Sequence, residues 1–110
     1  MENFDSFYVD KWLIEPALNR ISKDQQEIIL VPKVMSLLLL LVKHAGEPVS
    51  QQTILDHVWP EQVVSDSSIY QAIAQLRKAF GDSAKKKYFI ERVSGKGYRL
   101  ISKVSEQSKE

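Results

Sequence analysis

The chain has 110 residues and 15 Lys+Arg against 14 Asp+Glu, a formal net charge of +1. That length bounds one domain burying about 65% of its unfolded surface. A composition 44% hydrophobic and 26% charged, with four Gly and four Pro, disfavours disorder and collagen-like repeats. Absent cysteine removes disulfides, thiolate metal sites and cysteine nucleophiles, and the acidic start Met1-Glu2-Asn3-Phe4-Asp5 leads into no apolar signal segment. Taken as a single number, +1 argues against a nucleic-acid partner.

In chain order, the first thirty residues alternate weakly between apolar and polar. Phe7-Tyr8-Val9, Trp12-Leu13-Ile14, Leu18 to Ser22 and Glu27 to Val31 read as short strands of a small antiparallel sheet, divided at Pro16 and at Ser22-Lys23-Asp24. Pro32 then suits the first position of a helix, where its missing N–H has no intrahelical partner. That helix is expected to run to about His44 and Ala45, with Gly46 ending it in the left-handed conformation. Its run Val34 to Val42 is far short of the ~20 apolar residues that span a bilayer and reads as a core helix.

Ser50 is placed to cap a second helix through Trp59, which Pro60 stops. After a loop from Pro60 to Val64, Ser65 or Asp66 caps a third helix to Phe80, closed by Gly81. Ile69, Ala72, Ile73, Leu76 and Phe80 form its apolar stripe at the helical period. The opposite face carries Ser67, Gln71, Ala74 and Lys78, flanked by Ser68, Tyr70, Gln75 and Arg77. Tyr88 to Val93 and Tyr98 to Ile101 are aromatic and β-branched runs around Ser94-Gly95-Lys96-Gly97, the pattern of a hairpin. From Ser102 to Glu110 the chain is polar and is expected to fray, so the domain is drawn over residues 1–103 with 104–110 as a tail or the start of a linker.

Charge is distributed unevenly along this order. Residues 1–66 hold five Lys/Arg against ten Asp/Glu, a net of −5, whereas residues 67–103 hold nine against two, a net of +7. The basic part coincides with the third helix and the hairpin. It would attract and orient a polyanion, although solvated outer faces account for such charges equally well.

The order of elements narrows the choice. Three helices with a short second one, and a third with a small, polar, basic outer face, have the form of a helix-turn-helix that sets its last helix in a DNA major groove. Gln pairs bidentately with adenine, Lys pairs with guanine, and Ser allows close approach and phosphate contact. The glycine turn carries Lys96, with Arg99 behind it, toward a neighbouring minor groove.

These residues resemble the winged helix-turn-helix DNA-binding domain of the OmpR/PhoB class of bacterial transcription regulators, and within it the ToxR and CadC branch, over about residues 7 to 103. Val31-Pro32-Lys33, His44 to Ser50 and Leu55-Asp56-His57-Val58-Trp59 look like its first two helices and their junction. Val64-Ser65-Asp66 with Leu76-Arg77-Lys78 looks like the recognition helix, and Tyr88 to Leu100 like the wing. Trp12 to Pro16 and Asn19 to Ser22 are similar to the CadC-like members in particular.

The resemblance implies an α+β fold: a small N-terminal antiparallel sheet, three helices and a C-terminal β-hairpin wing. It implies sequence-specific binding of double-stranded DNA for transcription regulation, with Ser67, Ser68, Gln71, Ala74, Gln75 and Lys78 facing DNA and Arg77 at the edge. Trp59, Ser50 and Gln51 are implied near the phosphate backbone, and Lys96, with Arg99 behind it, at the minor groove. The Pro60 to Val64 loop would meet RNA polymerase, and two copies would self-associate on DNA. Ser67, Ala72, Ala74 and Gln75 stand where many relatives carry Arg or His, which shifts affinity toward the wing, Arg77, Lys78 and pairing of copies.

OmpR/PhoB members carry a receiver domain before this unit, for which these residues leave no room. CadC-like and ToxR-like members carry a linker, a transmembrane helix and a periplasmic sensor after it. Membrane attachment is therefore implied only through a segment outside these residues, with the domain itself cytoplasmic.

Other chemistries find little support. His44 and His57 have no carboxylate partners at metal-ligand spacing, and neighbours such as Asp56 and His57 cannot face each other on a helix. No nucleophile elbow, phosphate-binding loop or zinc-protease motif is present, so no enzyme activity, cofactor, metal or small-molecule substrate is expected. Lys85-Lys86-Lys87 reads as a solvated turn in preference to a DNA contact. The competing assignment is a winged helix used as a protein-interaction module, which the small neutral residues of the third helix would suit.

Overall fold

In the computed structural model, which describes residues 5–82, 85 and 89–106, the N-terminal region forms four antiparallel strands. They are β1 (Phe7–Val9), β2 (Trp12–Glu15), β3 (Arg20–Lys23) and β4 (Gln26–Ile29). Asp10 and Asp24 take left-handed φ of 54° and 56° in two of the turns, a conformation short polar side chains tolerate. Inner-face residues Val9, Trp12, Ile14 and Ile21 are buried, and the outer face carries Glu15 and Glu27 around Arg20.

Two sequence expectations are corrected in this region. Leu18 belongs to a single 3-10 turn, Pro16–Leu18, because Pro16 favours the start of a helical turn; β3 begins only at Arg20. Ser22 and Lys23 pair with Glu27 and Gln26, which moves the next turn to Asp24 and Gln25.

A third correction concerns the tail. Val104–Glu106 does not fray but forms a strand, β7, that pairs with β1 in the sheet order β4-β3-β2-β1-β7. Val9 stands opposite Val104, and the Asp10 N–H donates to the Lys103 carbonyl at 2.7 Å. Residues 107–110 of the expected tail lie outside the described residues.

Three helices follow: α1 (Pro32–Lys43), α2 (Gln51–Val58) and α3 (Asp66–Phe80). The first buries Val34, Met35, Leu37, Leu38, Leu40 and Leu41, which makes it the centre of the core. Lys33 Nζ donates to the Val58 carbonyl at 2.8 Å, tying the start of α1 to the last turn of α2. Phe80 closes α3 onto the sheet, edge-on to Trp12 (ring centroids 5.8 Å apart) and stacked on Phe89 (4.6 Å). Each aromatic pair contributes about 0.5–1.5 kcal/mol beyond its buried area.

The hairpin is made of β5 (Ile90–Val93) and β6 (Gly97–Leu100). Tyr88, expected as its first residue, lies outside the described residues, and Ile101 falls just beyond β6. Asp82, just past the end of α3, accepts from the Phe89 and Ile90 amides at 3.1 and 3.0 Å through Oδ2, which fixes where the hairpin begins. None of the helices of the described residues is long and apolar enough to cross a membrane.

Candidate nucleic-acid interface

The third helix is amphipathic as its sequence period requires. Ile69, Ala72, Ile73, Leu76 and Phe80 are buried, while Ser67, Gln71, Ala74, Gln75 and Lys78 are exposed together on the far side. Ser68 is half-buried at the margin. Ser65 is the N-cap by backbone conformation, but its hydroxyl bonds Ser67 Oγ at 2.6 Å and no helix amide. Arg77 is half-buried and turns toward the hairpin, where its Nε donates to the Ile90 carbonyl at 3.4 Å. It therefore braces the hairpin from the edge of the helix, and Lys78 is the cation of the outer face.

The N-terminus of α2 is the second component. Ser50 Oγ accepts from the Thr53 amide at 3.1 Å and donates to Thr53 Oγ1 at 2.9 Å, the capping predicted for it. The preceding residue fastens this helix end to the wing. Val49 and Tyr98 exchange backbone hydrogen bonds, Val49 N to Tyr98 O at 2.7 Å and Tyr98 N to Val49 O at 3.0 Å, and the Gly46 amide donates to the Leu100 carbonyl at 3.0 Å. The helix junction thus runs as a third edge along β6.

That attachment sets the hairpin tip beside Ser50. A cleft of about 200 Å³ lies between them, lined by Ser50, Gln51, Arg92, Val93, Gly95, Lys96, Gly97 and Tyr98. Lys96 also borders a larger opening of about 460 Å³ with His44, Pro48, Val49, Ser50 and Thr53. The sequence-predicted Ser50, Gln51 and Lys96 therefore meet at one place.

Strand alternation divides the wing cations. Arg92 stands opposite Tyr98 and Glu91 opposite Arg99, so the two arginines project to opposite faces. Arg99 Nε donates to Glu91 Oε1 at 2.8 Å, away from the cleft, and its charge is offset there. Arg92 is exposed and on the cleft side, yet sequence reasoning did not single it out. Its signal was present: it shares a face with the apolar residues Ile90, Tyr98 and Leu100 by strict two-residue alternation.

Tyr98 is buried beneath this cleft, and burial pushes its hydroxyl pKa above the ordinary tyrosine value. Arg92 and Arg77 oppose that shift, while Tyr70 and Asp66 of α3 reinforce it.

Trp59 lies at the opposite end of α2 from Ser50, about 12 Å along an eight-residue helix. It is half-buried against the core and borders the loop cleft with Pro60, Glu61, Gln62, Val63 and Val64. Val63 is wholly exposed at the tip of that loop. Of the lysine turn only Lys85 is among the described residues, where it is exposed; Lys86 and Lys87 lie outside them. His57 Nδ1 is 3.1 Å from the Thr53 carbonyl of its own helix, and no cluster of three potential metal ligands occurs among the described residues.

Residues 25–100 match the family described as "Transcriptional regulatory protein, C terminal". The chain is 32% identical over 103 residues to the transcriptional activator CadC of Escherichia coli, covering 93% of this chain and 20% of that protein. It is 37% identical over 100 residues to the cholera toxin transcriptional activator of Vibrio cholerae, covering 86% of this chain and 34% of that protein. The chain therefore corresponds to a minor part of these relatives. Among solved structures, the DNA-binding domain of E. coli CadC superimposes with a TM-score of 0.84 at 28% identity, covering 96% of this chain and 100% of that one. The expected winged-helix architecture is thereby established.

Proposed function

The chain belongs to the family of transcriptional regulatory protein C-terminal domains, a family of transcription-factor domains and not of enzymes, and from that premise we propose that it binds double-stranded DNA sequence-specifically to regulate transcription. The observation that carries this is the Val49–Tyr98 pairing. It holds the wing tip and the capped end of α2 together beside a helix whose outer residues are small and polar.

In this function α3 lies in the major groove. Gln71 and Gln75 read adenine edges, Lys78 pairs with guanine or phosphate, and Ser67, Ser68 and Ala74 permit close approach. Ser50, Gln51 and Arg92 hold the sugar-phosphate backbone, and Lys96 enters the adjoining minor groove. Arg77 acts through the wing it braces, and Arg99 contributes less because Glu91 offsets its charge. Trp59, at the loop end of α2, lies near the phosphate backbone there.

Two further roles belong to the same proposal. The exposed Pro60 to Val64 loop offers Val63 to RNA polymerase, and copies pair on adjacent half-sites. The domain works on the cytoplasmic side, and any membrane attachment comes from a segment outside these residues.

Selection of bound sequences from a random duplex pool tests the function. Enrichment of a defined motif, repeated at helical-turn spacing, supports it together with pairing. Recovery of no motif, despite folded protein, overturns sequence-specific binding.

A further inference from the structure

Tyr70 is the one large side chain on the exposed part of α3 that the interface described above leaves without a task. The residue is 46% exposed, although Ser67, Gln71 and Ala74 around it are small or polar. Position explains why it is not an ordinary surface tyrosine. It is the fifth residue of α3, within the N-terminal half of a recognition helix that meets base edges.

The side of the helix matters equally. At about 100° per residue, Tyr70 shares the wing-facing edge with Asp66 one turn before it and Arg77 two turns after it. Arg77 of that row is already directed at the wing through the Ile90 carbonyl. Tyr98 of the wing is buried whereas Tyr70 is exposed, so Tyr70 stays outside the core on the side of the helix that faces the wing.

A ring in that place is matched to an apolar feature of a base edge. The major groove offers one such feature, the C5-methyl of thymine. Resting on the DNA-binding function proposed above, we infer that Tyr70 is a specificity-determining residue whose ring packs on the thymine C5-methyl of one base pair at the wing-side edge of the α3 footprint. The aromatic ring makes the contact, and the hydroxyl is not required for it.

The test uses the chain and a duplex recovered by selection from a random pool, in which each thymine is replaced singly by deoxyuridine, so that only the methyl is lost. For the unaltered protein, one position should weaken binding about four-fold, the value of one buried methyl-sized group. Tyr70→Ala should bind the thymine duplex about four-fold more weakly and be insensitive to deoxyuridine at that position, while Tyr70→Phe should keep the full sensitivity. Retained sensitivity in Tyr70→Ala, or its loss in Tyr70→Phe, overturns the contact while leaving DNA binding intact. Failure of the unaltered protein to select any sequence overturns the proposed function and this contact with it.

Discussion

Gly97 stands so close to Val49 that a Cβ at position 97 would overlap the Val49 carbonyl oxygen. The close approach is what allows Val49 and Tyr98 to exchange two backbone hydrogen bonds, and it joins the wing to the start of α2. Gly97 also has φ of +120°, a region that residues with a Cβ avoid.

Gly97→Ala is therefore expected to destabilise the fold by about 2–4 kcal/mol, combining backbone strain with overpacking. Gly95→Ala, at φ +74° with open space around it, is expected to cost about 1 kcal/mol. Urea unfolding of both variants checks the contrast, and equal losses would mean that the approach to Val49 is unimportant.

Asp82 holds the start of the hairpin through two main-chain amides. Asp82→Ala removes both acceptors and is expected to cost about 1–3 kcal/mol, with amide exchange at Phe89 and Ile90 accelerated ahead of the rest of β5. Uniform exchange throughout the domain would count against a local tether.

The wing arginines should behave differently on DNA. Arg92→Ala and Lys96→Ala are each expected to reduce the salt slope of binding by about 1, while Arg99→Ala changes it less because Arg99 is engaged by Glu91 on the other face of the wing and neutralises no phosphate. Equal effects of Arg92→Ala and Arg99→Ala would show that the two faces of the wing are not distinguished.

Tyr98 makes a pH-dependent contribution of definite sign. Its folded-state pKa is raised, so the stability it supplies is complete below the unfolded value of about 10 and is lost as pH rises through the higher folded-state value. The stability difference between the protein and Tyr98→Phe should therefore shift against the tyrosine form above about pH 10. A difference constant across that range would remove burial of the hydroxyl from the account.

Local chemistry made most of the fold legible in sequence. Pro32, Ser50, Pro60 and Gly81 mark helix boundaries because each acts on the backbone within a turn, and the stripe Ile69 to Phe80 predicts the buried face of α3 directly. Long-range pairing was less visible. Val104–Glu106 is short and polar, and only its partner β1, nearly one hundred residues earlier, makes it a strand. The site was legible in part for the same reason. Ser50, Gln51, Lys96 and the outer face of α3 follow from helix period and turn position, whereas the pairing of Arg99 and the direction of Arg77 depend on Glu91 and Ile90 across the hairpin and its neighbour. A net charge of +1 concealed the uneven distribution because the acidic residues 1–66 balance most of the basic residues 67–103.

Binding of a fluorescent duplex, followed by anisotropy across a salt series, tests DNA binding most directly. Neutralisation of six phosphates gives a slope of log affinity against log salt of about −5, with modest affinity at physiological salt. A flat response, or no binding at low salt by a folded protein, would contradict a DNA interface and leave a protein-interaction role for the wing and α3.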